Sequence, residues 1–151
     1  MRFKKFNDIE NLRHARVEEK PLKNYTGDPD KLSIAKPGTN TSKTTMNELK
    51  EMQGMFKQRN KAIEQSVKNH DPKSEYAIEE YLKQNNLEID RKATDKIAEV
   101  GSSIARKFKN KFERARPYHL ADAMNMKFDS MPLFSDSMKT PAYPSGHSLQ
   151  S

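Results

Sequence analysis

The stretch DRKATDKIAEVGSSIARKFKNKFERARP, residues 90–117, decides the fold. Within it Ala93, Ile97, Val100, Ile104, Phe108, Phe112 and Ala115 recur at intervals of four and three. That is the period of one helix face. Asp90 stands where an N-cap acceptor belongs. Pro117 is expected to end or kink the helix, because its ring displaces a carbonyl and it lacks an N–H.

Reading outward, Thr45 with Glu48 three residues later forms a candidate capping box. Met46, Leu49, Met52, Phe56, Ile63 and Val67 then mark a helical stripe that runs up to Asp71-Pro72. Proline disfavours helix in the residue before it, so the stripe should stop there. Ser74 is placed to cap a shorter helix carrying Tyr76, Ile78, Tyr81 and Leu82. A short helix and then a loop with Pro132, Pro141 and Pro144 are expected after Pro117. No segment alternates with period two, so strands are not expected and the fold class is all-α.

Residues 1–43 differ in character. They are polar and broken by Pro21, Gly27-Asp28-Pro29 and Pro37-Gly38, which are turn signals. They read as an irregular N-terminal arm, a surface wrap or a flexible tail, with a short helix near Asp8–Glu19. Residues 44–151 read as the helical domain.

Composition narrows the class. Only 33% of the 151 residues are hydrophobic and 32% are charged, which suits amphipathic helices with wet outer faces. It also suits the N-terminal part of a larger helical domain. The net charge of +7 favours anionic partners without choosing among phosphorylated small molecules, nucleic acid and anionic lipid. The absence of cysteine excludes disulfides, thiol catalysis and cysteine-based metal sites. There is no apolar run long enough for a transmembrane helix, and the basic start at Met1-Arg2 is not followed by an apolar segment. No membrane insertion and a cytoplasmic location are therefore expected.

Two patterns carry chemistry. Lys109 and Arg116 lie seven positions apart, nearly two turns, so on a continuous helix both project from one side about 10 Å apart. Two long cationic side chains at that spacing can converge on one dianion, arginine through its planar fork and lysine as a point charge. Taken alone the pair reads equally as a solvated basic face, since Arg106, Lys107, Lys111 and Arg114 are its neighbours. The second pattern is Pro144-Ser145-Gly146-His147. Serine offers a hydroxyl and glycine lets backbone N–H groups approach an anion. A histidine beside a bound phosphate can give a proton to a departing oxygen. On its own this turn is equally a proline–glycine loop with an incidental histidine. Both patterns in this order, with Pro144 following Pro117 by 27 positions, are much less expected by chance.

Lys109 through Arg116-Pro117 resembles the first signature of the type 2 phosphatidic acid phosphatase superfamily, which includes soluble bacterial (class A-like) acid phosphatases and vanadium haloperoxidases. Ala142-Tyr143-Pro144-Ser145-Gly146-His147-Ser148 resembles its second signature. The resemblance extends over about residues 75–151. It implies a helical bundle of the acid phosphatase/haloperoxidase type, here incomplete at the C-terminus. It also implies a phosphoric monoester hydrolase that works through a phosphohistidine on a phosphorylated small-molecule substrate. Lys109, Arg116, Ser145 and Gly146 would bind phosphate and His147 would be the general acid. No metal or cofactor is implied, and vanadate would act as a phosphate mimic. The family's nucleophilic histidine belongs to a third signature that is not found in this chain. His14, His70 and His119 lack the partners that would make one of them a substitute. The chain alone is therefore expected to bind phosphate weakly and to turn over little or nothing.

A different class remains open, a basic helical protein that binds nucleic acid or another anion through the Arg106–Arg116 face. Its binding should fall steeply with salt. Phe108 and Phe112 do not count as stacking residues for it, since their spacing marks them as core. A homo-oligomer is compatible with either reading.

Overall fold

The fold is all-α in a computed structural model that describes residues 6–71, 76–131, 136–146 and 148. The helices are α1 (Phe6–Glu10), α2 (Lys43–Phe56), α3 (Lys61–His70), α4 (Tyr76–Gln84), α5 (Arg91–Phe112) and α6 (Pro117–Ala123). Single 3-10 turns occur at Pro29–Lys31 and Asp136–Lys139. Among the described residues the only β-type pairing is an isolated bridge between Arg13 and Arg114. No described helix is long and apolar enough to cross a membrane.

Helix ends follow local chemistry. Asp90 caps α5 as expected, its carboxylate accepting the Ala93 N–H at 3.0 Å. Helix α2 starts earlier than the Thr45–Glu48 pattern suggested. Its cap is Ser42, whose Oγ accepts the Thr45 N–H at 3.2 Å. The single stripe expected from Met46 to Val67 is two helices, because Asn60 is extended and caps α3 through the Ile63 N–H at 3.0 Å. The expected cap at Ser74 lies outside the described residues.

The largest departure is in α5. It was expected to run to Pro117, but it ends at Phe112. Glu113 takes a left-handed conformation with φ 47° and ψ 34°, and its N–H returns to the Lys109 carbonyl. Few residues other than glycine and asparagine adopt this conformation. Here its neighbours hold it, with the His14 N–H on the Glu113 carbonyl and Arg16 Nε 2.5 Å from its carboxylate.

The arm wraps α5. Arg16 meets Glu113, Val17 exchanges two hydrogen bonds with the Asn110 side chain, and Arg106 donates to the Glu18 carbonyl. Ser103 donates to the Pro21 carbonyl, and Lys107 donates to the Pro29 carbonyl and the Asp30 carboxylate. The arm thus runs antiparallel to the second half of α5 and then turns back. Extended backbone with its polar groups bonded to helix side chains satisfies the requirement that buried N–H and C=O groups be paired.

The core sits beyond the end of α5. Leu49 of α2, Ala115 and Leu120 of α6 are 1–2% exposed, and Ile9, Leu12, Met124, Met126 and Phe128 pack around them. Phe56 and Phe128 meet edge to face at 4.8 Å, closing the far end of α2 over the segment after α6. By contrast Ile63, Val67, Ile78, Tyr81, Leu87 and Ile97 are exposed, so the apolar stripe of α5 is buried only in its second half.

Asn40 ties the core to the arm. It is 2% exposed; its amide donates to the Ile9 and Leu12 carbonyls at 2.9 Å, and its oxygen accepts from Arg114 at 2.6 Å. Asn40→Ala strands these groups and is expected to cost about 1–3 kcal/mol, the penalty for unsatisfied buried polar groups. Urea denaturation checks this; a midpoint equal to that of the unsubstituted chain would contradict the role.

Candidate functional site

The two residues expected to hold phosphate are brought to one place, but not by a shared helix. Lys109 lies in the last turn of α5. Arg116 is the N-cap residue of α6, extended at φ −72° and ψ 150° because Pro117 follows it at the first helical position. The left-handed Glu113 turns the chain between them.

Both side chains then reach the same loop. Lys109 Nζ donates to the Pro141 carbonyl. Arg116 donates from Nε to the Thr140 carbonyl at 2.6 Å and from Nη2 to Thr140 Oγ1 at 3.2 Å. The loop is fastened on the other side as well. The Ala142 N–H donates to the Arg114 carbonyl at 3.0 Å, and Tyr143 packs edge to face on Phe112 at 5.6 Å. Tyr143 also donates its hydroxyl proton to the Ala35 carbonyl at 2.9 Å.

Ser145 and Gly146 come directly after this fastened segment. Pro144 is buried and Ser145 is exposed. Helical geometry begins at Gly146, and the Ser148 N–H points to Ser145 Oγ at 3.4 Å, a long cap-type contact. A Cβ on Gly146 would meet nothing within 4 Å, so open space adjoins its backbone. His147, the expected general acid, lies outside the described residues.

Electrostatics link the cations. Lys109 is 7% exposed, and burial, then the charges of Arg116 and Arg106, push its ammonium down to about 8. The Arg116 guanidinium is also lowered, chiefly by burial, with Tyr118 and Asp71 opposing. Two positive groups thus share a poorly hydrated corner. Such a corner favours a negative charge.

The remaining basic residues do not form one solvated face. Arg106 and Lys107 are engaged with the arm, while Lys111 is exposed over the rings of Phe108 and Phe112 at 5.8 and 5.9 Å. Arg114 is half-buried and donates to Asn40 and Thr45. Sequence reasoning grouped it with the surface charges; a buried role has no signature when one arginine stands among many. His119 is on α6 and its ring meets those of Tyr118 at 4.2 Å and His14 at 5.3 Å. Among the described residues no group of three His, Cys, Asp or Glu side chains is placed to hold a metal ion.

No protein-family model, curated protein or solved structure matches the chain.

The lowered Lys109 ammonium has a consequence for stability. An unfolded lysine keeps its proton to about pH 10.5, so between about pH 8 and 10.5 the unfolded chain holds more protons. Stability from this group therefore rises with pH across that window. Lys109→Met removes the effect. The stability difference between the variant and the unsubstituted chain should shift in favour of the latter by on the order of 3 kcal/mol from pH 7 to 10.5. A difference that stays flat across those pH values would contradict the buried ammonium.

Proposed function

We propose that the corner formed by Lys109, Arg116, Ser145 and Gly146 is the phosphate-binding part of a phosphomonoesterase of the acid phosphatase type, with His147 as general acid. One observation supports this most. The two cations, on different elements, both donate to the adjacent carbonyls of Thr140 and Pro141, just ahead of the Pro144–Gly146 turn. On this reading phosphoryl oxygens would take the place of those carbonyl oxygens on the same donors. Arg116 would engage two oxygens through its fork and Lys109 a third. The Gly146 backbone and the Ser145 hydroxyl would face the remaining side.

In the reaction this implies, a nucleophilic histidine attacks phosphorus and the bond from phosphorus to the alkyl oxygen breaks. His147 gives its proton to the departing alkoxide, releasing an alcohol. Water then cleaves the phosphohistidine to inorganic phosphate. The nucleophile belongs to the third signature, and none of His14, His70 and His119 is proposed in its place. On this reading the residues present would bind phosphate and its mimics.

The test is p-nitrophenyl phosphate hydrolysis between pH 4 and 8, alongside the melting temperature with and without vanadate. No turnover is expected, together with a vanadate-induced rise in melting temperature. Arg116→Ala should weaken vanadate binding about 10- to 100-fold, the value of charge-assisted hydrogen bonds. An unchanged vanadate response in that variant would remove Arg116 from the site. Sulfate, whose charge is constant here, should bind less well as pH rises through about 8 and Lys109 loses its proton. Sulfate affinity independent of pH over that range would remove Lys109.

A further inference from the structure

A second arginine faces a different space. A cavity of about 270 Å³ lies between the arm at Pro37-Gly38, helix α2 and the 114–117 and 142–143 segments. That is close to the lower limit of small-ligand pockets, about 300 Å³. Leu49, Met52, Pro117 and Leu120 give it apolar walls, and Arg114 lines it with Glu48.

Arg114 is unusual in its partners. It donates to Asn40 Oδ1 at 2.6 Å and to Thr45 Oγ1 at 2.9 Å, both neutral acceptors. A guanidinium carries five N–H groups, and the others have no acceptor among the described residues. No carboxylate lies within ion-pair distance of it among those residues, and burial lowers its affinity for its proton. Half-buried guanidinium groups normally take a carboxylate or phosphate through two parallel hydrogen bonds. Here the protein provides the fork without the acid, beside an apolar cavity.

The charge nearby selects the ligand. Glu48 and Glu10 act on Arg114 from longer range, as does Arg13, so the surroundings are close to neutral. Glu48 is exposed, its carboxylate makes no hydrogen bond among the described residues, and it would repel a dianion more than a monoanion. The geometry points to a binding site for a small monocarboxylate with an apolar body, its carboxylate on Arg114 and its body against Leu49, Met52, Pro117 and Leu120. This goes beyond the phosphate reading and does not depend on it, because neither Lys109 nor Arg116 lines the cavity.

The probe is benzoate, titrated calorimetrically into the full chain, with benzamide as its neutral counterpart. Saturable benzoate binding is expected, with benzamide at least tenfold weaker. Arg114→Ala also removes two structural hydrogen bonds and so mixes binding with folding; two other variants carry the test. Met52→Trp fills the cavity and should weaken benzoate at least tenfold. Glu48→Gln removes an exposed carboxylate and should tighten it about two- to fivefold, the worth of one screened charge. Excess vanadate should leave benzoate affinity unchanged. No benzoate binding, equal binding of benzamide, indifference to Met52→Trp, or competition by vanadate would each overturn the assignment. Competition would place the carboxylate on the Lys109–Arg116 pair and leave the phosphate reading standing.

Discussion

The turn at Glu113 is the constraint on which the rest depends. A left-handed residue that is neither glycine nor asparagine costs of order 1 kcal/mol or more, and it persists only where its surroundings over-determine it. Glu113 is held at three points, by the Lys109 carbonyl, the His14 N–H and the Arg16 guanidinium. Two of those three come from the arm. Had α5 continued, Arg114 and Arg116 would have stayed on the helix surface. Instead Arg114 turns toward Asn40 and Thr45, Ala115 enters the core, and Arg116 becomes the N-cap of α6.

How much of this was legible in the sequence depends on the range of the interaction. The Asp90 cap of α5 and the extended residue before Pro117 are local effects, and residue type alone marks them. The end of α5 was not legible, because Phe112 and Ala115 continue the apolar spacing of four and three. Glu113 is four residues before Pro117, whose ring excludes that carbonyl from a helix, but His14 and Arg16, which hold the break, are about a hundred positions away, and no periodicity contains them. The same holds for α2 and α3. Phe56, Ile63 and Val67 keep the spacing of one helix, while Asn60 competes as a cap and wins.

The candidate site divides along the same line. Lys109, Arg116, Ser145 and Gly146 could be picked by residue type and order, since lysine, arginine and a serine–glycine turn suit an anion. Lys109 and Arg116 share no helix face, contrary to what their spacing suggests, yet the two meet at Thr140 and Pro141. Their meeting is a property of the loop. Tyr143 against Phe112 and the Ala142–Arg114 backbone bond fix residues 140–143 across the break in the helix. His147 lies outside the described residues, so its placement rests on its position next to Gly146 in the chain.

Burying Lys109 and Arg116 together carries a cost, which the Thr140 and Pro141 carbonyls and the charge of Asp71 oppose. Each ammonium or guanidinium removed from water loses hydration, and the repulsion between them adds to it. Backbone carbonyls return dipoles, not charge. An anion that accepted the same donors would cancel both the repulsion and part of the desolvation, and Lys109 would recover its proton affinity. The lowered Lys109 ammonium expresses the cost of burying it beside another cation. Arg114 shows the same imbalance on a smaller scale, since its neutral partners Asn40 and Thr45 leave its charge to Glu10 and Glu48 at longer range. At Arg114 the chain positions a cation by hydrogen bonds to neutral groups. Its charge is balanced at longer range, whereas a directly bonded carboxylate would have occupied its donors.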